Sequence, residues 1–167
     1  MNAVSNRQQC FSAIAPDSAS ILILGSFPGV LSLERQHYYA HPRNSFWLIM
    51  AHLLEFDPAL VYQDRLEKLK EKKIALWNVL YRCKRAGSLD SAIEADSVVV
   101  NDFSTFFTQH QSIKALFFNG ARAEIEFKKR VILANAAPGY DKAIDMHRLP
   151  STSPAMASLS ISRKIES

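Results

Sequence analysis

The chain has 167 residues, 48% hydrophobic and 22% charged, which is the length of about one domain and the composition of a globular protein able to bury a core. No apolar run nears the roughly 20 residues of a membrane span, and Met1 to Cys10 lack the apolar core of a signal peptide, so a cytoplasmic protein is expected. Cys10 and Cys83 lie far apart and supply neither a disulfide framework nor a four-cysteine metal site, and a net charge of +4 permits a polyanionic partner without establishing one.

Residues Asn2 to Ala15 carry no distinct signal, and Pro16-Asp17-Ser18 breaks the chain ahead of Ile21-Leu22-Ile23-Leu24. Those four residues, stopped by Gly25 and Pro28, read as a buried strand opening into a loop. The loop runs to Trp47 and is too long and too rich in Arg, His, Tyr and Asn to be simple connection. Asn44 stands at the N-cap of a helix carrying Phe46, Ile49, Met50, Leu53 and Leu54, which should end near Phe56-Asp57-Pro58. A charged helix from Asp64 to Lys73 then leads into a second strand, Ile74 to Leu80.

Tyr81 to Ser91 reads as a second polar loop, rich in cations, at the end of that strand. Ala92 to Ala95 makes a short turn, and Asn101-Asp102 begins a helix carrying Phe103, Phe106 and Phe107. Ile113 to Phe118 is the third strand, stopped by Asn119-Gly120. From Ala121 to Leu133 the spacing is helical, with Lys128-Lys129-Arg130 where cations suit the helix dipole; a DNA contact is the rival reading of that run. Ala143 to Leu149 is a fourth short strand, followed by a small-residue turn, Pro150 to Ala155, and a short terminal helix. Alternating strands and helices predict one three-layer α/β/α domain over residues 1–167 with a mostly parallel sheet, its polar strand ends gathered on one edge.

Common chemistries are missing from that edge. Gly25-Ser26-Phe27-Pro28-Gly29 is not a nucleophile elbow, no Gly-Lys-Ser/Thr or dinucleotide fingerprint follows the first strand, and His37 and His41 lack the carboxylates a metal site would want. What remains is amides (Asn44, Asn78, Asn119), aromatics (Phe27, Tyr38, Tyr39) and cations (Arg35, Arg43, Arg82, Lys84, Arg85). Planar amides offer a donor beside an acceptor, rings offer a stacking face and cations hold phosphate, a combination suited to a flipped nucleobase. Each also has a plain structural reading: Asn44 as a helix cap, Asn78 as a loop-ordering amide, the tyrosines as packing.

Five blocks carry a resemblance: Gly25-Ser26-Phe27-Pro28-Gly29; Gln36-His37-Tyr38-Tyr39-Ala40-His41-Pro42-Arg43-Asn44-Ser45-Phe46-Trp47; Leu76-Trp77-Asn78-Val79-Leu80; Gly87-Ser88-Leu89-Asp90-Ser91; and Leu149-Pro150-Ser151-Thr152-Ser153-Pro154-Ala155. In this order the chain resembles the hypoxanthine-DNA (deoxyinosine) glycosylases, a branch of the uracil-DNA glycosylase superfamily. The resemblance spans roughly Ile21 to Ala157 and implies a four-stranded parallel sheet between helices. It also implies hydrolysis of the N-glycosidic bond of a deaminated base after base flipping, without a cofactor or metal. By resemblance Asn44 is catalytic and orients the water, Asn78 reads the base edge, and Gly25, Ser26 and Phe27 line the base site. Tyr39 aligns with a base-stacking aromatic, with Phe27 as the competing candidate.

Pro150, Ser151, Thr152, Ser153 and Pro154 match a loop that presses into the minor groove, while Arg43, Arg82, Lys84 and Arg85 are expected on phosphates. Two departures from the main uracil-DNA glycosylases fit the hypoxanthine branch: Ser26-Phe27 replace the activating Asp of the first motif, and Leu149 replaces the leaving-group histidine. The expectation is therefore a monomeric, monofunctional DNA glycosylase of base excision repair, acting on deoxyinosine with uracil as a secondary substrate and associated with the nucleoid through DNA. The alternative is a module of the same fold that binds damaged DNA or nucleotides without chemistry.

Overall fold

The computed structural model describes residues 7–140 and 143–167. Its centre is β2 (Ile21–Gly25), hydrogen-bonded in parallel on one side to β3 (Ile74–Asn78) and on the other to β6 (Ala115–Asn119), which pairs in parallel with β7 (Asp145–Leu149). The sheet order is β3-β2-β6-β7. A central parallel strand is covered on both faces, which is why Ile21 to Leu24 is an unbroken apolar run and not an alternating one. Successive residues nevertheless face opposite layers. Leu22 and Leu24 join one core cluster, and Ile23 joins the other with Ile74 and Leu76.

The first cluster is built on aromatic rings from α4 (Phe103–Gln109) and α5 (Ala121–Phe127), and the second on α2 (Phe46–Leu53) and α3 (Tyr62–Glu71). The three-layer reading thus holds, with helices on both faces of a four-stranded parallel sheet. Asp102 caps α4 by accepting the Thr105 N–H at 3.0 Å, which ties the helix start to its sequence signal. No helix among the described residues is long and apolar enough to cross a membrane.

Four elements differ from expectation. Segment 74–80 is not one strand. β3 stops at Asn78, and β4 (Leu80–Lys84) belongs to a second, antiparallel sheet with β1 (Arg7–Gln9) and β5 (Val99–Val100). The expected polar loop after Leu80 is therefore strand over its first residues; its polar composition hid it, while fully buried Leu80 and Cys83 anchor it. The first long loop contains α1 (Val30–Arg35), a short helix whose only buried residue is Ser32 and which thus shows no apolar periodicity. Asn44 lies one residue before the cap position, which Ser45 occupies, yet its Oδ1 still accepts the Phe46 N–H at 3.0 Å.

Beyond Phe127, α5 widens into a π-helical stretch, Lys128–Ile132. Two of the three cations there are paired along the helix, Lys128 with Glu124 at 2.7 Å and Arg130 with Glu126 at 2.6 Å. This supports the helix-internal reading of the basic run over a DNA contact. α6 (Ile161–Glu166), capped by Ser160, ends the described chain.

Phe127 is wholly buried at the meeting point of Phe103, Phe118 and Tyr140, with ring centroids 5.1, 5.4 and 5.9 Å away. Phe127→Ala should lower the unfolding free energy by roughly 3–5 kcal/mol through lost transfer energy and the cavity left behind, read as a fall in the urea midpoint with the m-value unchanged.

Candidate functional site

Because all four central strands are parallel, their carboxyl ends share one edge, where Gly25 stands in register with Asn78 and Asn119 with Leu149. The chain runs from β2 outward to β3 and then crosses back to β6, so the strand order reverses beside β2, where open α/β sheets bind ligands. A cleft of about 290 Å³ opens there. It is lined by Gly25, Ser26 and Phe27 after β2, Tyr39, His41 and Asn44 from the loop before α2, Asn78 at the end of β3, Asp90, Asn119, and Ser151 to Met156.

The two principal amides are each held with a defined orientation. At Asn44 the Phe46 N–H takes one lone pair of Oδ1, which marks that atom as the oxygen and leaves its second lone pair and the NH2 group for a ligand. Asn78 is 4% exposed, and its Nδ2 donates to Cys10 Sγ at 3.4 Å. The thiol proton is itself given to the Phe11 carbonyl at 3.1 Å, so the sulfur acts only as acceptor toward Asn78. Burial pushes this thiol up to about 11, the Asn78 and Asn101 hydrogen bonds opposing the shift, so it stays protonated at neutral pH. Asn101 Nδ2 fixes the Asn78 carbonyl at 2.7 Å from below. Asn78 Oδ1 then approaches Gly25 so closely that a Cβ there would sit 2.7 Å from it.

The loop carrying Asn44 is bound to the last loop through Thr152. The Thr152 carbonyl accepts the Ser45 N–H at 3.0 Å and the Ser45 hydroxyl at 3.2 Å. Asn119 holds the same residue from the β6 end, accepting the Thr152 N–H and donating to its hydroxyl, both at 2.9 Å. Gly120, at φ +99°, lets this happen, since a Cβ there would lie 3.0 Å from the Ser151 Cβ.

Tyr39 and Phe27 both line the cleft, each with one face already used: Tyr39 stacks on Phe46 at 3.9 Å between centroids, and the Arg85 guanidinium lies 5.0 Å over Phe27. Tyr39 is held in the left-handed region at φ 55°, an unfavourable conformation for a bulky residue. Its hydroxyl is buried and makes no hydrogen bond of good geometry, and burial raises the phenol to about 12 despite Asn119 beside it. His41 accepts the Arg43 N–H on Nδ1 at 3.1 Å, and Arg43 itself is exposed at the outer side of this loop.

The cations of the second segment are not brought to the cleft. Arg82 and Lys84 lie on β4, paired with Gln9 and Arg7 of β1. Arg85 corrects the expectation of a phosphate contact: it is 3% exposed and donates to the Pro28 carbonyl at 2.5 Å and to Gln8 Oε1 at 3.3 Å. It straps the first motif to the second sheet. Pro150 lies just outside the lining that Ser151, Thr152, Ser153 and Pro154 provide.

Asp90 is the residue to which sequence reasoning gave no role. It belongs to the Gly87 to Ser91 block, yet only the fold shows both of its carboxylate oxygens 2.8 Å from the Ser26 hydroxyl, across 64 residues of sequence. Burial raises its carboxyl from the ordinary aspartate value, opposed by Ser26, Arg85 and Arg122.

Comparison with known proteins identifies the family that this sequence and fold belong to. The family model described as the uracil DNA glycosylase superfamily matches residues 11–164. A hypoxanthine DNA glycosylase of Methanosarcina barkeri is 36% identical over 118 residues, 70% of this chain and 73% of the relative. Its counterpart in Methanosarcina acetivorans is 36% identical over 114 residues, 68% of this chain and 71% of the relative. The solution NMR structure of a Methanosarcina acetivorans protein described as a candidate uracil DNA glycosylase superposes with a TM-score of 0.76 at 30% identity, covering 96% of this chain and 93% of that one. The chain therefore belongs to the hypoxanthine DNA glycosylase family of the uracil DNA glycosylase superfamily.

Proposed function

We propose that the protein excises hypoxanthine from deoxyinosine in DNA by hydrolysing the N-glycosidic bond, with uracil as a secondary substrate, and leaves an abasic site. The observation that carries this reading is the pair of orientation-locked amides in one cleft, Asn44 and Asn78. Hypoxanthine presents N1–H beside O6, and uracil N3–H beside O4. Asn78, with Oδ1 free to accept and its second Nδ2 hydrogen free to donate, matches both edges. Adenine and cytosine present the opposite order and would set donor against donor. Guanine shares the hypoxanthine edge but adds an amino group, and in a buried site an unpaired donor is costly.

Departure of the base leaves an oxocarbenium-like sugar, which needs a water held in place more than one fully deprotonated. The free lone pair of Asn44 Oδ1 suits that task. Tyr39 and Phe27 supply stacking faces, Ser151 to Pro154 approach the DNA backbone, and exposed Arg43 meets phosphate. No lysine lines the cleft among the described residues, in keeping with a water nucleophile in place of an amine. The protein works as a cofactor-free, monomeric single domain acting on DNA in the cytoplasm.

The test is excision from end-labelled duplexes holding one inosine, uracil, xanthine or normal base, read after alkali cleavage. Inosine should be cut above the others and only after alkali. Asn44→Ala should lose at least about 100-fold in rate while duplex affinity is kept, whereas a recognition module without chemistry would bind and cut nothing. Gly25→Ala, by driving a methyl against Asn78 Oδ1, should lower inosine excision by at least about tenfold through a shifted amide, read at a temperature where the variant's melting curve shows it folded.

A further inference from the structure

Asn44 orients water but is no proton acceptor, because an amide is not basic at neutral pH. Hydrolysis nevertheless releases a proton. The water oxygen forms a bond to C1′, the C1′–N bond breaks with its electron pair leaving on the base, and one water proton must go elsewhere. The cleft-lining residues include one carboxylate, Asp90.

Its attachment to the cleft is specific. Ser26 directly follows Gly25 at the end of β2, is 9% exposed and lines the cleft. Its hydroxyl lies 2.8 Å from Oδ1 and 2.8 Å from Oδ2 of Asp90, the symmetric geometry of one O–H shared by an ionised carboxylate. With its proton committed to Asp90, Ser26 Oγ turns lone pairs toward the cleft. The backbone at Asp90 is held by Arg122, whose Nη1 donates to the Asp90 carbonyl at 3.2 Å and whose Nε donates to Glu126 at 2.7 Å, and the positive charges of Arg122 and of Arg85, clamped on Pro28, favour the ionised carboxylate. The first motif carries no carboxylate of its own, and the fold brings one to it from the turn at Asp90 to Ala92.

We propose that Asp90, acting through the Ser26 hydroxyl, is the proton acceptor for the attacking water. As the O–C1′ bond forms, the water proton passes to Ser26 Oγ and the Ser26 proton passes to Asp90, which releases it to solvent or to the departed base anion. The step needs no co-reactant, and it rests on the glycosylase reading above. The relay works only while Asp90 is ionised. Burial and the nearby Glu126 raise its carboxyl, Ser26, Arg85 and Arg122 oppose them, and the balance is upward. Excision should therefore fall as pH drops through a midpoint raised from the ordinary value of an aspartate.

The experiment is single-turnover excision of inosine from duplex DNA at saturating protein, across pH, with duplex affinity and thermal melting measured alongside. Asp90→Asn and Ser26→Ala should each lose about 100-fold at neutral pH, keep duplex affinity, and abolish the acid limb of the wild-type profile. The double variant should lose no more than either single one, because both substitutions cut the same path. Asp90→Asn within a few-fold of wild type, an unchanged acid limb, or losses that multiply would overturn the relay while leaving the glycosylase reading intact. If Asp90→Asn fails to fold, the acid limb of Ser26→Ala decides alone, since a structural hydroxyl would leave it in place. A wild type that excises no base ends the glycosylase reading and the relay with it.

Discussion

Everything at the site depends on the parallel pairing of β2 with a strand on each side. Backbone bonds to β3 and β6 hold Ile21 to Leu24, and side chains cover both faces, so the chain leaves the sheet at Gly25 with no freedom in where it emerges. Since neighbouring strands point the same way, Asn78 and Asn119 emerge on the same edge. The Gly25–Asn78 register then brings an amide oxygen against a backbone that carries no side chain, a contact that any Cβ would prevent.

From that edge the site is tightened by hydrogen bonds between segments far apart in sequence. Thr152 is held from one side by Asn119 and from the other by Ser45, so the loop that carries Asn44 and the loop expected to face DNA are tied to each other and to the end of β6. The amides inside are not free to flip, because Phe46 N–H and Cys10 Sγ each accept only one orientation. Preorganisation of this kind removes the reorganisation that a mobile polar group would undergo during reaction. Left-handed backbone at Tyr39 is a cost in the same loop, offset by the Tyr39–Phe46 stack and by the Trp47 indole N–H donating to the Tyr38 carbonyl at 2.9 Å.

Much of this was legible in the amino-acid order. Apolar runs located β2, the start of β3 and most of β6, though the second run was carried past Asn78 to Leu80, and the blocks around Asn44, Asn78 and Thr152 identified the family. β1 and β4 were not legible, because short strands in a small antiparallel sheet mix buried Leu80 and Cys83 with Tyr81, Arg82 and Lys84 and so imitate a polar loop. Arg85 was misread for a related reason. A cation closing a polar run reads as solvated, whereas here its guanidinium satisfies the Pro28 carbonyl and covers Phe27.

The sequence by itself determined which segments become central strands, which amides and small-residue loops sit at their ends, and hence the family, because these depend on local hydrophobic runs and on short contiguous blocks. The tertiary structure alone decided which of those groups meet. Only folding closes the 64 residues between Ser26 and Asp90, turns Arg85 inward, and makes Cys10 the acceptor that orients Asn78. The physical reason is that hydrogen bonds between distant segments leave no periodic trace in the chain, and their partners become neighbours only after the sheet has set the register.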